Sequence, residues 1–180
     1  MYKGRETKGR SLGEWNMSEV MSMPENFIQI TSKQLRDLQQ RASDDPKRRA
    51  RICLHKDHRD RLQEMVIAIC KDSYICPHRQ IDKLKTYKLV VGNMLVVFFN
   101  ESGIVEQKIE MGSIEEGKTA VFRFSSHRWH TVISLTEITI YMETIAGPYS
   151  REETEFASWG PDAGEPEVVE QYLDKILDWR

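Results

Sequence analysis

Two short tracts carry side chains that could do chemistry: Cys76-Pro77-His78-Arg79-Gln80 and Ser125-Ser126-His127-Arg128-Trp129-His130. Each lies on an apolar, β-like segment. Imidazoles about fifty residues apart on separate strands are what a barrel or sandwich needs to surround a small molecule or a metal ion. His78 and Gln80 are two positions apart, so on a strand they project from the same face. The tract Ile81-Asp82-Lys83-Leu84 then turns the chain, and Lys85 begins the next strand ahead of Gly92. His55 and His58 read as surface residues of the loop leading into the barrel.

Other motifs point away from chemistry. Cys53, Cys70 and Cys76 form no C-x-x-C pair and leave an odd thiol in any disulfide scheme, so they read as small hydrophobes in a reduced compartment. Gly112-Ser113-Ile114-Glu115-Glu116-Gly117-Lys118-Thr119 matches the phosphate-loop pattern letter for letter. That loop works because a strand leads in and a helix leads out, with the helix N-terminus facing the phosphates. Here Val121-Phe122-Arg123-Phe124 continues as a strand, and Glu115 and Glu116 would face the anion, so the pattern is rejected.

Hydrophobic periodicity predicts the elements that must position the histidines. Residues 1–24 mix polar types without periodicity and read as a flexible tail. Within 25–50, Phe27, Ile28 and Ile30 suggest a short strand, and Thr31-Ser32-Lys33-Gln34 suggests a capping box opening a helix to about Arg41, ended by Asp44-Asp45-Pro46. A run apolar on both faces at 65–70 reads as a buried strand, and further strands follow at 74–78, 86–91, 94–99, 104–109, 119–124, 129–135 and 138–145. Short strands joined by turns, without intervening helices, predict a mainly β fold: an antiparallel β-barrel or jelly roll over 51–161. Val168, Val169, Tyr172, Leu173, Ile176 and Leu177 recur at helical spacing, so 162–180 should hold an amphipathic helix packed on the barrel or on another copy.

Composition bounds the partners. At 180 residues and 39% apolar, the chain can bury one domain-sized core. A net charge of −2 gives no global field for nucleic acid or anionic lipid, and Lys47-Arg48-Arg49-Ala50-Arg51 reads as a solvated basic face. No apolar run approaches the roughly 18 residues a membrane span needs, and the N-terminal residues lack the apolar core of a signal peptide. The expectation is a cytoplasmic protein without nucleic-acid or membrane partners.

The spacing of His78, Gln80, Lys85, Gly92 and His130 resembles the two cupin motifs, H-x-H-x(3,4)-E-x6-G and P-x-G-x-x-H. Within that superfamily, residues 51–58, Pro77-His78-Arg79, Trp129-His130-Thr131, Gly147-Pro148-Tyr149 and Phe156-Ala157-Ser158-Trp159-Gly160-Pro161 look like the WbuC-type metalloproteins of bacterial surface-polysaccharide loci. The resemblance implies a cupin barrel, a homodimer and a metal held by three histidines and a glutamate. Carried over, those ligand positions are His78, Gln80, Lys85 and His130, so two of the four keep a metal-binding type. Ser125 and His127 stand where the family has Pro and Gly.

Two arrangements stay open. In one, Lys85 takes the volume and charge of the ion, and His78, Gln80 and His130 surround a cationic pocket for a sugar hydroxyl, carboxylate or phosphate. The chain is then a carbohydrate-related binding protein or pseudoenzyme of polysaccharide biosynthesis. In the other, Zn, Fe, Mn or Ni sits on His78 and His130, with Gln80 or His127 completing the shell of an isomerase, epimerase or oxygenase. A third reading places the function in the terminal tail and helix as interaction surfaces. Glu143 would add a carboxylate if it faces inward, which strand parity alone does not fix, because one bulge flips a face.

Overall fold

Thr31 opens helix α1 (Ser32–Asp44): its side chain accepts from the Gln34 N–H while the Gln34 side chain accepts from the Thr31 N–H. The computed structural model describes residues 27–179, so the tail expected at 1–24 lies outside the described residues. Residues 27–30 form no strand, and Phe27 is exposed. Ten strands follow the helix: β1 (Arg49–Cys53), β2 (Leu62–Cys70), β3 (His78–Gln80), β4 (Leu84–Val91), β5 (Met94–Phe99), β6 (Val105–Met111), β7 (Val121–Ser125), β8 (Trp129–Ser134), β9 (Ile138–Ala146) and β10 (Thr154–Phe156). Helix α2 (Pro166–Asp178) ends the described chain.

The strands form two antiparallel sheets, ordered β1-β2-β9-β4-β7 and β10-β3-β8-β5-β6. From β2 to β9 this is the order of a double Greek key, a jelly-roll sandwich rather than a closed barrel. Tyr87, Phe98, Phe124, Val132 and Tyr141 pack between the sheets. Each sheet also has an outer cover. Leu38 and Ala42 of α1 pack with Ile52, Val66, Ala68 and Ile140 on the first sheet. On the second, Ile176, Tyr172 and Leu173 of α2 pack with Leu95, Val97 and Phe99.

Three departures from the periodicity reading have local causes. The basic run expected on a solvated face is instead edge strand β1, because Ala50 and Ile52 alternate with the arginines and bury under α1. The strand expected at 74–78 begins only at His78, directly after Pro77, which has no N–H to give a ladder. Strand β10 was not anticipated. Its three residues are too short to show a period, and they pair with β3. No helix among the described residues is long and apolar enough to cross a membrane.

Leu38 is 1% exposed at the centre of the outer cluster, so Leu38→Ala should cost about 2–5 kcal/mol. Urea denaturation should show the loss as a lowered midpoint at an unchanged slope.

Candidate functional site

Strands β3 and β8 place His78 directly opposite His130, with ring centroids 4.5 Å apart. One local device orients both rings. His78 Nδ1 lies 3.1 Å from the Cys76 carbonyl and His130 Nδ1 lies 2.8 Å from the Arg128 carbonyl, each two residues back. A carbonyl only accepts, so Nδ1 carries the proton in both rings and each Nε2 presents a lone pair. His130 is fully buried against Phe98 and Phe124. His78 keeps some contact with solvent beside the exposed ring of Phe156.

The other sheet supplies a cation. Lys85 Nζ crosses the sandwich to within 3.2 Å of His130 Nε2 and donates to it. Behind Lys85, Glu143 Oε2 lies 3.8 Å from Nζ, too long for a direct hydrogen bond but within ion-pair range. The β4–β9 register sets Tyr87 opposite Glu143 and Leu89 opposite Tyr141, so Lys85, Tyr87, Tyr141 and Glu143 share the inner face. Glu143 therefore faces inward.

Burial dominates the electrostatics here. It pushes the His78 pKa down to about 3, with the Lys85 charge adding to the effect. His130 is lowered by burial first, then by Lys85 and His78. Burial lowers Lys85 as well, while Glu143 acts to keep it charged. Tyr87 and Tyr141 are raised by burial and by the neighbouring Glu143 charge, so both remain phenols.

Cover is thinner along one side of this group. On β2 the outward residues Val66 and Ala68 are buried under α1, whereas the inward residues Met65 and Ile67 stay partly exposed. Arg49 and Arg51 share that inward face, because β1 pairs them with Ile69 and Ile67. The inner face is thus partly exposed at the β1–β2 edge, while Ile69, Tyr87 and Tyr141 behind it are buried. The rear wall is fastened from outside. Arg79, on the outward face of β3, pairs with Glu155 at 2.7 Å and Glu101 at 3.0 Å and lies 4.3 Å over the Trp129 ring. Trp129 Nε1 in turn donates to Glu101.

These donors do not suit a divalent ion. The lone pair of His130 that would face a metal already accepts from a lysine, and an ion there would meet a cation where a carboxylate is needed. His127 does not join the pair: it is exposed on the β7–β8 turn, with Nδ1 2.7 Å from Ser125 Oγ. Its φ is not positive, so the turn needs no glycine. Among the described residues, no three of His, Cys, Asp and Glu are grouped to hold a metal. Gln80 is buried beside β10, its Nε2 donating to Thr154 Oγ1, while its Oε1 has no partner among the described residues. The rejected phosphate-loop tract enters β7 rather than a helix, and Lys118 pairs with Glu110 and Glu116.

Sequence reasoning missed Tyr87, Tyr141 and Arg49. Counting by twos from Lys85 and from Glu143 would have found the tyrosines. Arg49 lay hidden in a basic run whose strand character only the helix packed on it makes visible.

Residues 30–111, less than half of the chain, match a family described as "Domain of unknown function (DUF6016)". No curated protein matches the sequence. Among solved structures, Protein SO0799 from Shewanella oneidensis is similar at a TM-score of 0.52 and 8% identity, over 71% of this chain and 83% of that one. The cupin domain of Cnp3 from Schizosaccharomyces pombe gives 0.42 at 12% identity, over 54% of this chain and 64% of that one. Oxalate decarboxylase from Lactobacillus farciminis gives 0.43 at 15% identity, over 62% and 34%. The strand order decides the fold class. The chain is an antiparallel jelly roll. At these identities the likenesses extend to fold alone.

Removing the charge of Glu143 leaves the Lys85 ammonium without its counter-ion, so Glu143→Gln should destabilise by about 3–5 kcal/mol, and adding Lys85→Met should recover much of that loss. Denaturation of the two single variants and the double variant checks the coupling. The imidazoles predict a pH dependence. Both are neutral when folded and have a pKa of about 6.5 when unfolded, so the unfolded chain binds the extra protons below that pH. Stability should therefore fall as pH drops from about 6.5 toward 3 on account of His78, by up to about 1.4 kcal/mol per unit, and His130, lowered in the same direction, adds to the fall. Proton NMR should show neither ring titrating between pH 5 and 8.

Proposed function

We propose that this chain is a cupin-fold protein that binds a small, carbohydrate-related molecule, with a lysine ammonium in the place where the family its motifs resemble holds a metal. The observation that carries the reading is Lys85 Nζ at 3.2 Å from His130 Nε2, with Glu143 behind it as counter-ion. Lys85 supplies positive charge without coordination chemistry, and its N–H groups can donate to a ligand oxygen. The Nε2 of His78 can accept from a ligand hydroxyl, since its Nδ1 is committed to Cys76. The partly exposed inner face at the β1–β2 edge is the side from which a ligand would approach. The carbohydrate assignment, and a place as a pseudoenzyme in polysaccharide biosynthesis, rest on the motif resemblance across 51–161.

Metal analysis tests this reading on protein purified without a histidine tag. Wild type should carry well under one equivalent of Zn, Fe, Mn or Ni. The double variant Gln80→His/Lys85→Glu, which rebuilds a three-histidine, one-carboxylate set, should bind about one equivalent of Zn²⁺. A stoichiometric transition metal in the wild type ends the proposal in favour of a metal-dependent enzyme on His78 and His130.

A further inference from the structure

At the β1–β2 edge the partly exposed inner face carries Arg49 and Arg51, and on the same sheet's inner face Lys85 is buried beside the carboxylate of Glu143. The two imidazoles add no charge of either sign, being held neutral by burial. Arg49 is the unusual member. Its guanidinium is partly buried and donates through Nη1 to the Tyr74 carbonyl at 2.6 Å, and among the described residues it has no carboxylate within ion-pair distance. Loss of water lowers its pKa before any other cause, and its charge reaches far enough to depress His78.

A desolvated guanidinium without a counter-ion is costly, and its planar fork of N–H groups matches a carboxylate or phosphate edge to edge. The bond to Tyr74 uses one nitrogen and fixes the group at this edge, just before the segment that leads to His78. Acceptors lie deeper on β3. His78 Nε2 has a lone pair, and Gln80 Oε1 is buried without a partner among the described residues. Cations at the rim and acceptors behind them suit one ligand chemistry: an anionic group on a body bearing hydroxyls.

We infer that the partly exposed inner edge at β1–β2, beside His78, binds a hydroxylated anion, a sugar acid or sugar phosphate, and that Arg49 anchors its carboxylate or phosphate. This rests on the small-molecule reading given above and assigns to Arg49 a binding role beyond the loop contact it makes.

Isothermal titration of the full chain with glucuronate, glucose 6-phosphate and glucose tests it, with the His78 ring resonances followed by NMR in parallel. At least one charged probe should bind ten-fold or more tighter than glucose and shift the His78 signals. Whichever charged probe leads identifies the anion as carboxylate or phosphate. Arg49→Met should weaken that probe at least ten-fold and leave any affinity for glucose unchanged, whereas Arg49→Lys, keeping the charge but losing the fork, should fall between. Equal binding of glucose and the charged probes by wild type overturns the anion assignment while leaving the small-molecule reading intact, and this comparison needs no variant to fold. An Arg49→Met protein that folds and binds the charged probe as wild type does removes Arg49 from the site. Failure of all three probes to bind overturns the inference, while metal content still judges the reading beneath it.

Discussion

One contact between the sheets governs this interior: the amine of Lys85 reaching from β4 to the unprotonated nitrogen of His130 on β8. A buried ammonium loses several kcal/mol of hydration, and attraction to Glu143 at 3.8 Å returns about 4 kcal/mol at an effective dielectric constant of 20. The two are comparable, so the arrangement adds little to stability. Its effect is positional. It sets the rotamer of Lys85 and, through the charge, adds to the burial that holds His130 and His78 neutral.

The fold tolerates such an interior because its apolar burial is distributed over three layers of contact. Helix α1 covers the outer face of the first sheet and α2 that of the second, so β5 and β8 are buried along their whole lengths. With this much surface removed from water on the outside, the space between the sheets need not be filled with hydrocarbon at every level. Arginine, glutamate and lysine can occupy inward positions that a two-layer sandwich would need for Leu or Val.

The fold was legible wherever a strand or helix was long enough to show its period. Strands β4 to β9 lie within a few residues of where alternation puts them, and the Thr31 capping box marks the start of α1. Short or compound elements were not. Strand β10 has three residues, β1 carries arginines on its partly exposed inner face, and Pro77 delays β3. For the site, the pairing of His78 with His130 and the approach of Lys85 follow motif positions. The inward aim of Glu143 did not, because it follows from the pairing of Tyr87 with Glu143, and the register between two strands over fifty residues apart is not carried by either strand's own period. His127 had two readings, a solvated loop residue or a ligand completing a metal shell, and the turn places it in solvent.

The clasp around Arg79 lies on the far side of the histidine wall from Lys85. Two carboxylates and an indole hold that guanidinium, and with it the strand on which His78 sits, entirely from the exterior. Orientation of the imidazole thus asks little of whatever occupies the interior. Inward-facing side chains can therefore change in charge without loosening the outer contacts that hold the His78 strand.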